Sequence, residues 1–288
     1  MNKKKFALMA ASVALVASTV LFGTLAYFTD RESVANTFTV GNIDITLDEA
    51  KVNDYGVPTK NGAEVDGYIN DKGEIVSNAP EVDRVNDTNN YKLVPGKTYV
   101  KDPTMTVVAG SEPTYVRMLV TISHVEVFDA IFDAMNNATN QVDKPELIDI
   151  FNGYDKDTTT DGIQTVWKYH DEYRGNETTT PGTITYEFRY YDDSKADNKA
   201  IVDARSATAD MKLPSLFDSF TVPGYFGSEQ IKDLNGMTIT VIGQAIQADS
   251  FVADGAKSAE DVAWDAFDDQ VVVNTNYKSP YADTTTQP

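Results

Sequence analysis

Two histidines, His124 and His170, are the only imidazoles with which this chain could bind a metal ion or transfer a proton. Neither stands in an H-E-x-x-H pattern, so the ligand pair of that type of zinc protease is missing. No serine stands in a G-x-S-x-G elbow, and "PGKT" at 95–98 lacks the glycine spacing of a phosphate-binding loop. The sequence leaves a serine–histidine–aspartate group open, because such residues converge in space rather than in order. We interpret both histidines as surface or rim side chains.

One group of carboxylates has the composition of a calcium site. Asp155, Asp157 and Asp161 lie close together before Gly162, and hard oxygen ligands in a flexible loop suit Ca²⁺. The segment lacks the glycine at the sixth position and the distal glutamate of an EF-hand loop. We therefore favour a solvated acidic loop, and the sequence predicts no cofactor other than this Ca²⁺ candidate. These patterns do not support an enzyme.

Charge and cysteine content narrow the class of protein. The chain has 24 Lys and Arg residues against 44 Asp and Glu, a formal net charge of −20. Such a surface repels nucleic acid and anionic membranes, so we expect neither as a partner. There is no cysteine, which excludes disulfides, thiolate metal sites and thiol nucleophiles. An apolar core must therefore hold the fold, and a chain of 288 residues is long enough to bury one.

Residues 1–26 have the pattern of an export signal. A basic start and an apolar run precede Thr24 and Ala26, which are small enough for the −3 and −1 positions of a signal peptidase site. We predict cleavage between Ala26 and Tyr27, which leaves a secreted chain of charge −23 that meets the membrane only before cleavage. The alternative is a retained anchor, because the apolar run at 6–25 is just long enough to span a bilayer.

Strand patterns dominate the rest of the chain. "NIDITLDE" places Ile43, Ile45 and Leu47 on one face and polar side chains on the other, the period-two pattern of a half-buried strand. Many strands without regular helix alternation predict a mostly β fold, an antiparallel β-sandwich. The other predicted strands cover residues 103–110, 115–123, 165–170, 183–191 and 237–248.

Helical patterns are fewer and shorter. Residues 125–138 carry apolar side chains at helical spacing, and residues 144–153 follow with Pro145 near a helix start. Residues 258–269 show a third pattern, which begins at a serine. We expect a helical insertion over 125–152 and a C-terminal helix on the β scaffold.

The predicted domain covers residues 39–274. Residues 49–90 are rich in Asn, Asp, Gly and Pro, and we interpret them as an irregular, exposed excursion with a small hairpin around Asp71–Gly73. The tail at 275–288 is polar, and we expect it to be disordered.

The segment "GTLAYFTDRESVANTFTVGNIDITLDE" at 23–49 resembles the N-terminus of the TasA/camelysin family, secreted proteins of Gram-positive bacteria. The family pattern has a small residue before cleavage, an aromatic pair, an Asp, and then N-x-F-x-x-G-x-[IVL] leading into the first strand. Residues 91–122, which contain an L-x-P-G turn, and the segment from 239 to 267 resemble later parts of the family. The residues that carry the first match are Ala26, Tyr27, Phe28, Asp30, Asn36, Phe38, Gly41 and Ile43.

The resemblance implies a jelly-roll β-sandwich with helical insertions, located in the extracellular matrix or at the cell surface and assembled into biofilm-matrix fibres. It implies export through a signal peptidase of the SipW type and head-to-tail self-assembly by donor-strand exchange. An accessory matrix protein or anchoring protein is a further possible partner. Residues 27–38 are then the candidate donor strand, with assembly positions at Phe28, Val34, Asn36 and Phe38.

The geometry and charge of such an assembly predict the solution conditions under which fibres form. An incomplete sheet exposes unpaired backbone groups that invite an added strand, and head-to-tail addition gives open filaments. Because like-charged subunits repel, we expect salt, calcium or low pH to favour fibre formation.

Two other hypotheses stay open. A monomeric secreted β-sandwich could bind a carbohydrate or protein ligand through its loops, and tyrosine-rich strands would serve that role. The family also carries a metallo-endopeptidase name through camelysin. That activity is the least supported of the three hypotheses, because this chain lacks a histidine-based zinc motif.

Overall fold

The computed structural model describes residues 42–139, 146–154, 166–175, 182–249 and 251–272. The predicted mostly β fold, an antiparallel sandwich with short helices, is confirmed. The predicted boundaries after residues 26, 38 and 274 lie outside the described residues. The helices are α1 (Val125–Thr139), α2 (Ser228–Asp233) and α3 (Ala259–Val272), with a 3-10 turn at Leu147–Ile150. The strands are β1 (Ile45–Ala50), β2 (Thr59–Lys60), β3 (Ala63–Glu64), β4 (Arg84–Val85), β5 (Thr98–Val100), β6 (Thr104–Val107), β7 (Thr114–Ser123), β8 (Phe151–Asn152), β9 (Trp167–Arg174), β10 (Thr183–Tyr190), β11 (Ile201–Val202), β12 (Met211–Lys212), β13 (Ser219–Thr221) and β14 (Ile239–Gln247).

Two antiparallel sheets form the sandwich. The first has the strand order β12-β6-β1-β4. The second has the order β9-β10-β7-β14, with the short β11 paired to the start of β7. The two sheets face each other where Gly243 of β14 lies against Ile45, Leu47 and Met105. A Cβ atom at Gly243 would lie 2.7 Å from the Met105 Cε atom, so a larger residue here would displace the end of the Met105 side chain.

The central strand β7 is buried on both faces. One face of β7 points into the sandwich, and α3 covers the other face. There the buried Arg117 guanidinium donates to Asp268 of α3 (Nη2 to Oδ1, 2.6 Å) and lies 4.3 Å from the ring centre of Trp264. Each fully buried aliphatic side chain stabilises the fold by roughly 1.5–3 kcal/mol. The side chains that face the sandwich interior, as their alternation predicts, are Val116, Met118, Val120 and Ile122.

Residues 51–90 form a series of packed turns. The β2–β3 hairpin turns at Asn61–Gly62, where both residues have positive φ (53° and 82°), a geometry that favours an Asn-Gly pair. Ile69 pairs with Ile75 in an isolated bridge, which places a turn at the predicted hairpin around Asp71–Gly73. A small apolar cluster fixes this region to the sandwich, and its buried members are Ala50, Tyr68 and Val100.

Two predicted helices are confirmed, since α1 covers residues 125–138 and α3 covers all but the first residue of 258–269. The predicted helix at 144–153 is wrong beyond a single 3-10 turn, because Phe151 already belongs to β8. The Phe151 ring stacks on Phe217 with centroids 4.1 Å apart, and β8 pairs with β13, so tertiary contacts take this segment into a sheet. Across the described ranges, no helix combines the length and apolar character needed to cross a membrane.

Candidate functional site

One long edge of the second sheet has no strand beside it among the described residues. There, β14 pairs with β7 alone, and its nine residues, ITVIGQAIQ, carry no charge. The Ser123 N–H donates to the Thr238 C=O, and the Ala248 N–H donates to the Pro113 C=O. Because hydrogen-bonded pairs alternate along an antiparallel ladder, the even-numbered residues of β14 direct their backbone groups toward β7. The residues that direct them outward are Ile239, Val241, Gly243, Ala245 and Gln247.

The first half of β1 borders the same side of the sandwich. The Val108 N–H donates to the Asp44 C=O, so the even-numbered residues of β1 face β6. On its other side β1 pairs with β4 through its last two residues only. The outward backbone groups of Ile45 and Leu47 therefore have no hydrogen-bonded strand in the described part of the chain, although β14 of the other sheet lies close by. We call this side, bounded by the outward residues of β14 and by Ile45 and Leu47, the open side.

The open side is apolar and lies against the core. Val241 is 2% exposed, Ala245 6% and Ile45 2%. Buried backbone N–H and C=O groups almost always have partners, because leaving one unpaired costs about 1–3 kcal/mol. The combination of buried residues and outward backbone groups gives β14 the properties of an acceptor for one more strand.

At the beginning of β14, the open side widens into a cleft of about 910 Å³. Residues 88–93 line one wall, and residues 231, 232 and 234–240 line the other. Lys92, Lys101 and Lys232 contribute to the lining, and no Asp or Glu is among the described residues that form it. In a chain with 44 acidic residues this is a local reversal of charge. We call this space the lysine cleft.

A buried ion pair supports one wall of the lysine cleft. Lys101 Nζ donates to Glu49 Oε2 at 2.6 Å, and each side chain is 3% exposed. Asn89 Nδ2 donates to Glu49 Oε1 at 2.5 Å and to the Ala50 C=O at 2.9 Å. Asn89 Oδ1 in turn accepts from the Val52 N–H at 3.1 Å. These bonds attach the wall at 88–93 to the end of β1.

The other two lysines of the cleft are exposed. Lys232 Nζ lies 2.8 Å from Glu229 Oε1, an ion pair between two solvent-exposed side chains. Lys92 has no carboxylate partner among the described residues, and its Nζ lies 5.7 Å from the ring centre of Tyr55. Lys101 and Lys232 are thus each paired with a carboxylate, and Lys92 is the lysine of the cleft without one among the described residues.

A second buried network joins β4 to β1. Asp102 accepts from the Ala50 N–H at 2.6 Å and from the Tyr68 hydroxyl at 2.8 Å, and it forms an ion pair with Arg84. Burial raises the pKa of Asp102, and Arg84 and these hydrogen bonds oppose that rise. Burial, together with the Asp102 charge, also raises the pKa of Tyr68. Since these polar groups are engaged with one another, we interpret the network as structural.

The far end of β14 has the opposite charge. Asp249 follows the strand closely, and Arg205 pairs with Asp249 (3.2 Å), Asp203 (3.3 Å) and Glu112 (3.8 Å). Three carboxylates share one guanidinium here. Charge along β14 therefore changes from basic at its beginning to acidic at its end.

The residues that the sequence offered for chemistry are spread over the molecule. His124 follows β7 with a φ of 60°, and its Nδ1 lies 2.9 Å from Ser123 Oγ. His170 lies exposed on β9. Within the described ranges, no group of three His, Cys, Asp or Glu side chains is placed to hold a metal ion. The other predicted site residues lie outside the described residues: Ala26, Tyr27, Phe28, Val34, Asn36, Phe38, Asp155, Asp157 and Asp161.

Sequence reasoning did not identify the open side or the lysine cleft. One signal was present, because β14 is an uncharged run of nine residues in a chain that is 24% charged. The cleft had no such signal, since Lys92 and Lys232 are far apart in the chain and only the fold places them on one cavity.

Comparison with known proteins gives one match. A family model described as "Camelysin metallo-endopeptidase" matches residues 1–58, about a fifth of the chain, and this segment includes β1. No curated protein and no solved structure matched the chain. The matched residues include the segment at 23–49 that carries the N-terminal resemblance. The match thus confirms, over residues 1–58, the similarity of this chain to the TasA/camelysin family.

Proposed function

We propose that the chain is a secreted structural subunit of extracellular biofilm-matrix fibres, joined head to tail by donor-strand exchange. Residues 27–38 of one copy act as the donor strand, and the open side of the next copy accepts it. The observation that carries the proposal is the row of outward backbone groups along β14, set beside the core without a described partner strand. The family similarity over residues 1–58 supports it, since that family is generally extracellular or surface-associated.

The geometry of exchange explains why the product is a filament. Donor and acceptor are different surfaces of one subunit, so each added copy exposes a new acceptor, and the chain of contacts does not close. Cleavage between Ala26 and Tyr27 by a peptidase of the SipW type releases the donor strand, so assembly follows export. An accessory or anchoring protein would bind a terminal subunit of the fibre.

Electron microscopy and size exclusion on two purified chains test this proposal. Residues 27–288 should form filaments, favoured by acidification, salt or calcium, whereas residues 39–288 should remain monomeric under every condition. The physical reason is that the shorter chain keeps the acceptor and lacks the donor. Filaments from residues 39–288, or a stable monomer of residues 27–288 in all conditions, would contradict the proposal.

A second candidate function is a monomeric binding module for a carbohydrate or protein ligand. The lysine cleft favours it, because a space of about 910 Å³ lined by Tyr91, Phe220 and several amide and hydroxyl side chains has the size and chemistry of a ligand site. Removing residues 27–38 separates the two functions. It should abolish polymerisation by a fibre subunit and leave the affinity of a binding module intact.

The proposed function is non-enzymatic, whereas the matching family model is described as a metallo-endopeptidase. A protease assay on residues 27–288 with an unfolded protein substrate tests this difference. We expect no cleavage with or without EDTA. Cleavage that EDTA abolishes would establish the peptidase activity and overturn this part of the proposal.

A further inference from the structure

The open side has a direction that its charges define. The lysine cleft lies at the beginning of β14, and Asp249, Asp203 and Glu112 gather near its end. The outward residues between these ends carry no charge. A strand that lies along β14 therefore begins at the lysine cleft, passes an uncharged middle and ends near Asp249.

The candidate donor strand has a complementary order. Successive side chains of an extended strand alternate between its faces, so Asp30 and Glu32 share one face with Val34 and Phe38. Arg31 lies on the opposite face in that arrangement. In that arrangement the shared face carries Phe28, then the two carboxylates, and then Val34, Asn36 and Phe38, so its negative charge lies before Val34.

The spacing of the two strands also agrees. Glu32 and Phe38 are six residues apart, as are Ile239 and Ala245 of β14, and six residues of strand span about 20 Å. With Glu32 at the lysine cleft, Phe38 would reach the apolar part of the open side beside Ala245.

We propose that the lysine cleft binds the carboxylates of Asp30 and Glu32 from a second copy and so orients the donor strand parallel to β14. This inference rests on the proposed function and adds the polarity and register of the contact. The reverse orientation would place the two carboxylates near Asp249 and Glu112, where like charges repel. Lys92 and Lys232 are the exposed lysines of the cleft, and Lys232 would exchange its exposed partner Glu229 for the incoming carboxylate.

Cross-linking between introduced cysteines tests the direction of the donor strand. Because the chain has no native cysteine, the cross-linker reacts at the introduced positions alone. Two double variants of residues 27–288 that keep every charge of the contact are needed, Ser33→Cys with Asn235→Cys and Thr37→Cys with Asn235→Cys. A short bismaleimide should join the first pair between subunits and give a ladder of covalent oligomers, while the second pair stays monomeric on a denaturing gel. A ladder from the second pair alone would overturn the proposed polarity.

A charge exchange tests the chemistry of the contact. Lys92→Glu with Lys232→Glu should raise the critical concentration for polymerisation about tenfold, and Asp30→Lys with Glu32→Lys should restore it in the combined variant. Lys212→Glu is the control, because this exposed lysine of β12 lies in the other sheet. A critical concentration unchanged by the Lys92 and Lys232 reversal would overturn the proposal.

The outcomes separate this inference from the proposed function. If wild-type residues 27–288 form no filaments, the proposed function fails. If filaments form and the cross-links appear only in the reverse pairing, the proposed function stands and the polarity is wrong. If Ser33→Cys and Asn235→Cys join within one monomer, the occupant of the cleft is the chain's own N-terminal segment, and the second copy is excluded.

Discussion

The second sheet has two edges, and they differ in a way that bears on assembly. The edge strand β9, WKYHDEYR, carries four charged side chains, and a register shift interrupts its pairing with β10 between Glu187 and Phe188. The edge strand β14 carries none, and its pairing with β7 is unbroken from Ile239 to Gln247. Charges and bulges are features by which natural sheets prevent edge-to-edge pairing. The comparison indicates that β9 is protected against a further strand and that β14 is available for one.

The side chains around the two edges reinforce the difference. On the β9 side, Lys168 pairs with Asp193 and Arg174 pairs with Asp129, each at 2.7 Å. These ion pairs place charged side chains along the β9 edge. On the β14 side, α3 covers the outer face, where Gln244 accepts from Arg117 Nε at 2.7 Å. The accessible part of β14 is therefore confined to its backbone edge.

A proline at the β14 edge should give the largest effect. Val241→Pro removes an outward N–H and places a ring where a donor strand would pair, while the ladder to β7 is retained. We expect residues 27–288 with this change to form no filaments and to keep the circular dichroism spectrum of the wild-type fold.

The matched control is Glu172→Pro on β9. The Glu172 N–H donates locally to Asp171 Oδ1 at 2.8 Å, so the substitution leaves the pairing with β10 in place. Filaments should persist in this variant under electron microscopy. Filaments from Val241→Pro together with their loss from Glu172→Pro would reverse the assignment of the two edges.

Loss of the buried ion pair beside the lysine cleft should have the next largest effect. Lys101→Met leaves the Glu49 carboxylate buried without its cation, and we expect the free energy of unfolding to fall by about 3–5 kcal/mol. Lys168→Met on the β9 side removes a more exposed pair and should cost less than about 1 kcal/mol. Urea denaturation measures both. Similar losses in the two variants would contradict the structural role given to the Glu49–Lys101 pair.

Removing the charges of β9 should make this edge strand prone to pairing between molecules. The variant is made in residues 39–288, which lack the candidate donor strand, by replacing three charged residues of β9 with threonine. We expect slow association of this variant, measured by light scattering. The positions are Asp171, Glu172 and Arg174. A control with the same change in charge replaces Asp71, Lys72 and Glu74 in the exposed turn and should stay monomeric. Equal behaviour of the two triple variants would show that edge charge does not protect β9.

Protonation of Glu260 on α3 should give the smallest effect. Burial raises the pKa of this carboxyl to about 7 from its ordinary value of 4.5. Because the folded state holds the proton more strongly than the unfolded state, stability falls as pH rises from about 4.5 through about 7. Glu260→Gln should therefore melt about 2–4 °C above the wild type at pH 8 and close to it at pH 4. Identical melting profiles at both pH values would contradict this account of α3.

Sequence patterns predicted the elements whose burial is periodic along the chain. The alternation in β7 and the helical spacing in α1 are local, so residues 115–123 and 125–138 were assigned correctly. The Asn61–Gly62 hairpin is equally local, and its Asn-Gly pair is a sequence signal for a tight turn. Local patterns could not predict the strand at the end of segment 144–153, because Phe151 stacks on Phe217 and pairs with β13, which are distant in sequence.

The candidate site was harder to predict than the fold. Whether a strand lies at an edge depends on which strands pair with it, and β14 is separated from β7 by more than a hundred residues. The lysine cleft requires residues 88–93 and 231–240 to meet across the open side. The candidate donor strand at 27–38, by contrast, was proposed from the sequence alone, and it stays a prediction.

Hydrogen exchange at single-residue resolution tests the central claim most directly. Residues 39–288 would be measured with and without a synthetic peptide of residues 27–38. We predict that the outward amides of Val241, Gly243 and Ala245 exchange about tenfold or more slowly with the peptide bound, while those of Glu172 and Arg174 on β9 do not change. Protection of β9, or a bound peptide that leaves β14 unprotected, would contradict the assignment of β14 as the acceptor edge.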